Sequence, residues 1–455
     1  MKKIINISLI AFLSLVSCKN NTDFTSDDKD RSDNYIVTLH LDQGKIDDRN
    51  LLVLTLKQFK ELNEYPKYEG HIFTSYYVDK YFYTRFDENF KIEENLDLYA
   101  KYTEDIYEYQ INNNEVTIVD VIDEKVKNDK IIVPDYLLEK KVTRIKEQSF
   151  SNLNLSTLDL NEIEYIEKDS FYNSTISYLK IGDTIENIEY GAFRNIKYLY
   201  SVEIEDNLKY SAVNNVILEK NEGNQRTIIG YYSYKWKSMF NEQDLTTIDV
   251  VEIAPYSFTN IYVKEKLVPI KDDEGNITGY NKSPGGFTLY IPSTIEKLNE
   301  SSFEDCKVYR FDENENEIEI ELGAYFFKGT KEIGKNAFKN SSISLIKYET
   351  KKENEVVVPY GEGVEIFKEG AFMDNKNIKE FTLPKTLKKI EKDCFKNCDN
   401  LKTIFYEGTK EEYQNIVIEE GNEALNNVEV LYFSKEKVEN GWFYDGNTVS
   451  KPIRY

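Results

Sequence analysis

The sequence predicts a β-rich α/β chain: a solenoid of stacked units preceded by a small β-rich module. Two patterns carry this prediction. An apolar residue followed five positions later by Phe recurs eight times, and short L-x-x-L-x-L segments fall between the recurrences. A third observation bounds the class. With 40% hydrophobic and 14% aromatic residues, the 455-residue chain can bury sizeable cores and is not generally disordered.

The chain opens with Lys2 and Lys3 before the mostly apolar run Ile4 to Val16. That run is shorter than the roughly 20 residues a membrane-spanning helix needs, and fits a secretory h-region. It ends at Leu15-Val16-Ser17-Cys18. These residues match the lipobox of bacterial lipoproteins, in which small residues fit the signal-peptidase slot and the cysteine thiol is acylated. The match implies a signal peptide over 1–17, lipidation (palmitate or a related acyl chain) at Cys18, and an exported protein held at the bacterial cell surface by its lipid anchor alone. Residues 18–34 contain one large apolar side chain, Phe24, and read as the anchor cysteine with a flexible tether.

Residues 35–103 read as the small module. Tyr35, Val37, Leu39 and Leu41 alternate with polar residues before the Gln43-Gly44 turn; further strands are expected at Ile72 to Val78 and Asp97 to Tyr102. Leu51 to Leu62 carries apolar residues at strand and helix spacing alike. The segments Tyr35-x-Val37-x-Leu39, Glu69-Gly70-His71-Ile72-Phe73 and Leu98-Tyr99-Ala100-Lys101-Tyr102 resemble the Listeria–Bacteroides repeat, or internalin B-repeat. Tyr76 and Tyr102 stand where that repeat has tryptophans. The resemblance implies a β-grasp-like module used as a stalk or for contacts outside the cell, and no chemistry.

Residues 104–434 form the repeat region. The anchors are Ile145/Phe150, Ile166/Phe171, Ile188/Phe193, Ile253/Phe258, Leu298/Phe303, Ile333/Phe338, Phe367/Phe372 and Ile390/Phe395. A small residue precedes each Phe: Ser149, Ser170, Ala192, Ser257, Ser302, Ala337, Ala371 or Cys394. Phe spacings of 21, 22, 65, 45, 35, 34 and 23 point to a unit of about 22 residues interrupted by insertions. Patterns such as Leu155/Leu158/Leu160 and Ile176/Leu179/Ile181 end in period-2 spacing, which makes each a short strand with one inward face. Each unit is expected to supply one strand and one short helical or 3₁₀ turn bearing the Phe, and only stacking buries the shared spine. Residues 206–235 and the turn at Asp272 to Asn276 read as hairpins leaving the stack. Residues 435–455 remain as a C-terminal tail or cap.

Ile333-Gly334-Lys335-Asn336-Ala337-Phe338 and Asp393-Cys394-Phe395-Lys396-Asn397-Cys398, with Leu289-x-Ile291-Pro292 as a strand end, resemble the BspA-like leucine-rich repeats of bacterial and protist surface proteins. The resemblance implies an adhesin-like role with extracellular-matrix or other host proteins as ligands. Only Cys306 and Cys398 hold the repeat's cysteine slot, three after the Phe; elsewhere it holds Leu153, Ser174, Ile196, Ile261, Ser341 and Asn375. Loss of that polar ladder is expected to make the spine less regular.

The residues offer little for catalysis. A formal charge of −23, from 81 acidic and 58 basic residues, opposes a nucleic-acid partner. The only two histidines, His40 and His71, lie in the module, so no Ser-His-Asp or Cys-His set forms in the array. Paired carboxylates carry no information in so acidic a chain, and no Gly-rich phosphate loop is present. Cys394 and Cys398 are spaced i, i+4, but both fill apolar repeat slots. The acidic run Asp312 to Glu317 and the turn at Asp272 to Asn276 are explained by hairpins more simply than by calcium. No enzyme activity, cofactor or metal site is therefore expected. The informative surface is the outward face of the strands, where stacking sets residues in rows. Tyr178, Lys180, Glu203, Tyr290, Lys347, Thr382 and Phe405 are the candidate partner-binding residues, with Tyr178, Tyr290 and Phe405 as exposed aromatic anchors. A carbohydrate-binding or envelope-spacer role is the alternative.

Overall fold

The computed structural model describes residues 35–454 except 197–198, 214–215, 224, 232–249, 259–261, 266–267, 273–276, 282–286, 292, 312–315, 354–355 and 445–451. The leader and tether expected over residues 1–34, with Cys18, lie outside the described residues. Two compact units emerge: one holds the described residues up to 116 together with 134–142, the other 117–133 and 143 onward. The sequence placed the boundary at 103/104; the first unit keeps residues 104–116 as well.

In the first unit, β1 (Ile36–His40), β2 (Leu51–Thr55), β3 (His71–Tyr77) and β4 (Leu96–Glu104) form a sheet in the order β2-β1-β4-β3. The ambiguous segment resolves into both structures: β2 runs directly into α1 (Leu56–Lys60), started by a capping box in which Thr55 and Gln58 satisfy each other's backbone N–H groups. Val37, Leu39, Leu52, Leu56, Phe73, Tyr76 and Leu98 make the core: alternation turns Val37 with Leu39 to one face, a register irregularity between Phe73 and Tyr76 brings both of those to it, and Leu56 comes from the helix. The Tyr102 hydroxyl donates to Leu41 O at 2.9 Å, so tyrosine at this position satisfies its polar tip inside the module. Both histidines have partners here: His40 meets Asp97 at 2.7 Å, and His71 stacks on Tyr68.

The second unit is a solenoid with two parallel ladders. The first is made of the longer strands carrying the leucine pattern, such as Asn154–Asp159, Thr175–Ile181 and Ser201–Ile204. The second is made of two-residue strands at the apolar anchors; Val250–Ile253 leads to Lys297–Leu298, Glu332–Ile333, Ile366–Phe367, Lys389–Ile390 and Val417–Ile418. Between the ladders the anchor phenylalanines pile up. Phe303 stacks on Phe258 at 4.7 Å and on Phe338 at 5.0 Å, and Phe338 stacks on Phe372 at 5.7 Å, with ring planes within 13° of parallel. All eight anchors are buried. Each contributes roughly 1.5–3 kcal/mol by burial, plus about 1 kcal/mol from ring contact.

The Phe-bearing segment is a chain of hydrogen-bonded turns rather than a helix, for a reason visible in its dihedrals. The residue two before each anchor has positive φ: Gln148, Asp169, Gly191, Tyr256, Ser301, Asn336, Gly370 and Asp393. So does the residue two after it wherever that residue is described: Asn152, Asn173, Asn195, Asp305, Asn340, Asp374 and Asn397. Left-handed residues end helices, and Asn, Asp and Gly tolerate that conformation best. The small residue before the Phe allows the turns to nest: Phe338 N donates to Ala371 O at 2.8 Å, and Phe372 N to Cys394 O at 2.9 Å. Gly334 is required by proximity, since a Cβ there would meet Leu298 O at 2.2 Å.

The polar ladder persists where the slot is Ser174, Asn375 or Cys398 and is interrupted where it is Leu153 or Ile196. Ser174 Oγ donates to Phe150 O, Asn375 Nδ2 to Phe338 O at 2.7 Å, and Cys398 Sγ to Phe372 O at 3.1 Å. Serine and asparagine thus do what the thiol does, which is to satisfy the anchor carbonyl of the preceding unit.

The insertions differ from one another. Val216–Lys220 and Arg226–Tyr231 form the expected hairpin, yet Arg226–Tyr231 continues in parallel with Val250–Ile253, so this insertion joins the second ladder instead of leaving it. Val268–Lys271 and Ile277–Asn281 form a separate two-stranded hairpin, and Lys307–Phe311 pairs antiparallel with Glu317–Glu319; residues 273–276 and 312–315 of their turns lie outside the described residues.

Candidate partner-binding face

Parallel, in-register pairing places the outward residues of successive strands side by side. Thr157, Tyr178 and Ser201 form one row, and Asp159, Lys180 and Glu203 the next. Tyr178, Lys180 and Glu203 therefore come together as expected. The Tyr178 hydroxyl donates to Glu203, and that hydrogen bond pushes the phenol up to about 12. Lys180 Nζ lies 2.7 Å from Glu205 and 3.7 Å from Asp159, and the Glu205 contact raises its pKa. Three carboxylates around one ammonium leave an acidic patch with an aromatic ring beside it.

Tyr290 and Lys347 fall in one row of the middle strands, separated by Tyr325. Tyr290 is half-buried against the core, with its ring 5.6 Å from Tyr325. It is therefore not a free aromatic anchor.

Thr382 and Phe405 require a correction. They do share a row, with Leu431, but they are 4% and 3% exposed. Two elements cover this part of the face, the second of them also extending the sheet, since Gly441–Tyr444 pairs in parallel with Glu429–Phe433. One is the hairpin of Thr350–Glu353 and Val356–Pro359, which brings Val357 onto Phe405. The other is the C-terminal pair Gly441–Tyr444 and Pro452–Arg454, which lays Trp442 against Phe405 at 5.6 Å. Trp442 Nε1 donates to Tyr406 O at 3.0 Å, Arg454 pairs with Glu429 at 2.6 Å, and Lys435 meets Glu353 at 2.9 Å. Residues 435–454 thus include a cap over the strand face.

Under that cap sits a carboxyl that sequence reasoning missed. Glu407 is 5% exposed; the Tyr444 hydroxyl donates to it, as does Lys385 N at 3.4 Å, yet burial pushes its carboxyl up to about 7. A glutamate directly after a repeat strand carries no signal that a distant C-terminal strand will cover it. In the first unit, burial likewise raises Glu139 to about 7, against the lowering influence of Arg85 and Lys140. The three described cysteines are buried, and burial pushes the Cys306 and Cys398 thiols up to about 12, so they are thiols packed in the spine rather than thiolates. Among the described residues no group of three or more His, Cys, Asp or Glu side chains is placed to hold a metal ion. No helix among them is long and apolar enough to cross a membrane.

The BspA type leucine rich repeat region matches this chain in six copies, over residues 129–241, 287–417 and 331–449. With well over half of its length matched, the chain belongs to the BspA type leucine-rich-repeat family. No protein of curated function matches it. Among solved structures it is similar to a leucine-rich cell surface protein of Faecalibacterium prausnitzii, at 13% identity over 70% of this chain and 97% of that one, with a TM-score of 0.32. A leucine-rich repeat protein of Eubacterium ventriosum is similar at 13% identity over 74% and 97%, TM-score 0.34. The pneumococcal vaccine antigen PcpA is similar at 14% identity over 73% and 88%, TM-score 0.30.

Proposed function

We propose that this chain is an exported lipoprotein, acylated at Cys18 and exposed at the bacterial cell surface, whose repeat array binds a protein partner as an adhesin for host or extracellular-matrix proteins. The lipobox supports the anchor, and membership of a repeat family typical of non-enzymatic scaffolds supports binding over catalysis. The observation that carries the binding reading is the cluster of Tyr178, Lys180 and Glu203, which strand pairing brings together from two adjacent rows at the amino-terminal part of the array. The acidic balance of that patch selects a partner with a basic surface, and makes binding weaker at high salt. The module of residues 35–103, by its resemblance to the internalin B-repeat, serves contacts outside the cell and carries no chemistry.

Screening the full chain against arrays of matrix proteins and glycans tests the reading. Binding to a matrix protein, reduced about ten-fold by Glu203→Lys, is the expected result. Glycan-only binding would sink it in favour of the carbohydrate reading, and hydrolytic turnover abolished by one substitution would reverse the non-enzymatic assignment. Unchanged membrane fractionation of Cys18→Ala would refute the anchor.

A further inference from the structure

One end of the module carries an aromatic loop that the adhesin reading does not use. β3 ends at Tyr77 and β4 begins at Leu96, antiparallel to it, with Tyr77 opposite Tyr99. β1 runs parallel to β4, with Val37 opposite Leu96 and His40 opposite Tyr99. The chain therefore enters β1 at the same end of the sheet from which the connection 78–95 projects; Ile36 N donates to Asn95 Oδ1 at 2.8 Å across that end.

The tip of this connection is held rigid. The Asp79 carboxylate accepts from Tyr81 N at 3.0 Å, Tyr83 N at 3.1 Å and Thr84 N at 2.8 Å, while Phe82 N donates to Asp79 O. Phe82 takes a positive φ of 63° and packs edge-on against Tyr77. What this fixed turn displays is aromatic: Tyr81 is 66% exposed and Tyr83 is 85% exposed, the most exposed aromatic among the described residues. Their ring centroids are 6.0 Å apart, and the Lys80 ammonium lies 5.1 Å from the Tyr81 ring. Rings held out to water in an ordered turn cost free energy unless something covers them.

The length and attachment point of the chain ahead of β1 identify the cover. Sixteen residues, 19–34, separate Cys18 from Tyr35, and a chain of sixteen residues spans at most about 58 Å. An acyl chain at Cys18 therefore holds this end of the module within reach of the bilayer. We infer that Tyr81, Phe82 and Tyr83 form a membrane-contacting foot that seats in the water–lipid interface beside the anchor. The inference rests on acylation of Cys18. Tyrosine and phenylalanine partition to headgroup depth, and Lys80 extends its ammonium to the phosphate level. The charge of −25 left once Lys2 and Lys3 depart with residues 1–17, −23 − 2, and the nearby Asp87, Glu88, Glu93 and Glu94 select neutral, zwitterionic lipid over anionic lipid.

The test uses the full chain acylated at Cys18, reconstituted into phosphatidylcholine vesicles with and without brominated acyl chains. Tyr83→Trp places a depth probe on the foot, and Leu51→Trp places one at the opposite end of the sheet, where Leu51 pairs with His40. The wild-type signal of Trp236 and Trp442 is subtracted. Emission from Tyr83→Trp should fall about two-fold with brominated lipid and shift to the blue, and Leu51→Trp should do neither. An unquenched Tyr83→Trp in a chain that still floats with the vesicles overturns the foot while leaving the anchor standing. Equal quenching at both sites overturns it as well, because the module would then lie down without preference. A blue shift of Tyr83→Trp with added matrix protein but not with vesicles assigns the loop to a protein partner instead. If the wild-type chain itself does not float, the anchor fails and the foot fails with it.

Discussion

The two ends of the strand face in the array follow one repeat rule and reach opposite outcomes. Near the start, the row Asp159, Lys180 and Glu203 reaches the surface; Lys180 pairs with Asp159 and with Glu205, and Glu203 accepts from the Tyr178 hydroxyl. Near the end, the equivalent row Thr382, Phe405 and Leu431 is closed beneath Val357, Trp442 and Tyr444. The difference teaches that alternation fixes the side of the sheet to which a residue points, and exposure then depends on which chain segments return to that side. An open end retains binding surface; a closed end ends the ladder and protects its edge.

The comparison can be broken most forcefully at Trp442. Trp442→Ala removes the largest fully buried side chain and a hydrogen bond, and should destabilise the capped end by about 3–5 kcal/mol. Hydrogen exchange should then show the Thr382 and Phe405 amides losing protection while those of Tyr178 and Lys180 keep theirs. Equal loss at both ends would mean that the array unfolds as one block and that the cap has no local role.

Glu407 gives the closed end a pH dependence near neutrality. Its carboxyl is raised from an ordinary 4.5 to about 7, so the folded state binds the proton more tightly than the unfolded chain does. The contribution is fully present below about pH 4.5 and is lost as pH rises through 7, an effect on the order of 3 kcal/mol. Unfolding of the capped end followed between pH 5 and 8 should show this fall in stability, and Glu407→Gln should flatten it. A parallel slope in Glu407→Gln would assign the dependence to another group.

The spine supplies the next effect. Asn375→Leu leaves the carbonyls of Phe338 and Phe372 without their amide donor and should cost about 2–3 kcal/mol by denaturant unfolding. A smaller loss, about 1–2 kcal/mol, is expected for Asn340→Val, which forces a β-branched residue to φ 48°. A neutral Asn340→Val would show that the turn relaxes out of the left-handed region.

Most of the fold was legible because repetition amplifies a weak local signal. The Ile and Phe anchors marked both the second ladder and the stacked rings, and the leucine pattern marked the first. The turn chemistry was equally visible and went unread: Asn or Asp stands two after every anchor Phe, the residue types that accept positive φ. The site was legible only in part. Tyr178, Lys180 and Glu203 could be aligned from spacing alone, since pairing in register is a local consequence of equal unit length. The burial of Phe405 could not, because Trp442 lies 37 residues away in the C-terminal strand pair. The hairpin ending in Pro359 is equally non-local, and nothing in its own sequence says where it folds.

The most direct test of the central claim is binding of the full chain to a panel of immobilised matrix proteins, with the double variant Tyr178→Ala, Glu203→Lys measured beside wild type. The account predicts salt-sensitive binding to at least one basic matrix protein, weakened ten-fold or more in the double variant while its unfolding curve stays unchanged. Binding of equal strength in the double variant would contradict it.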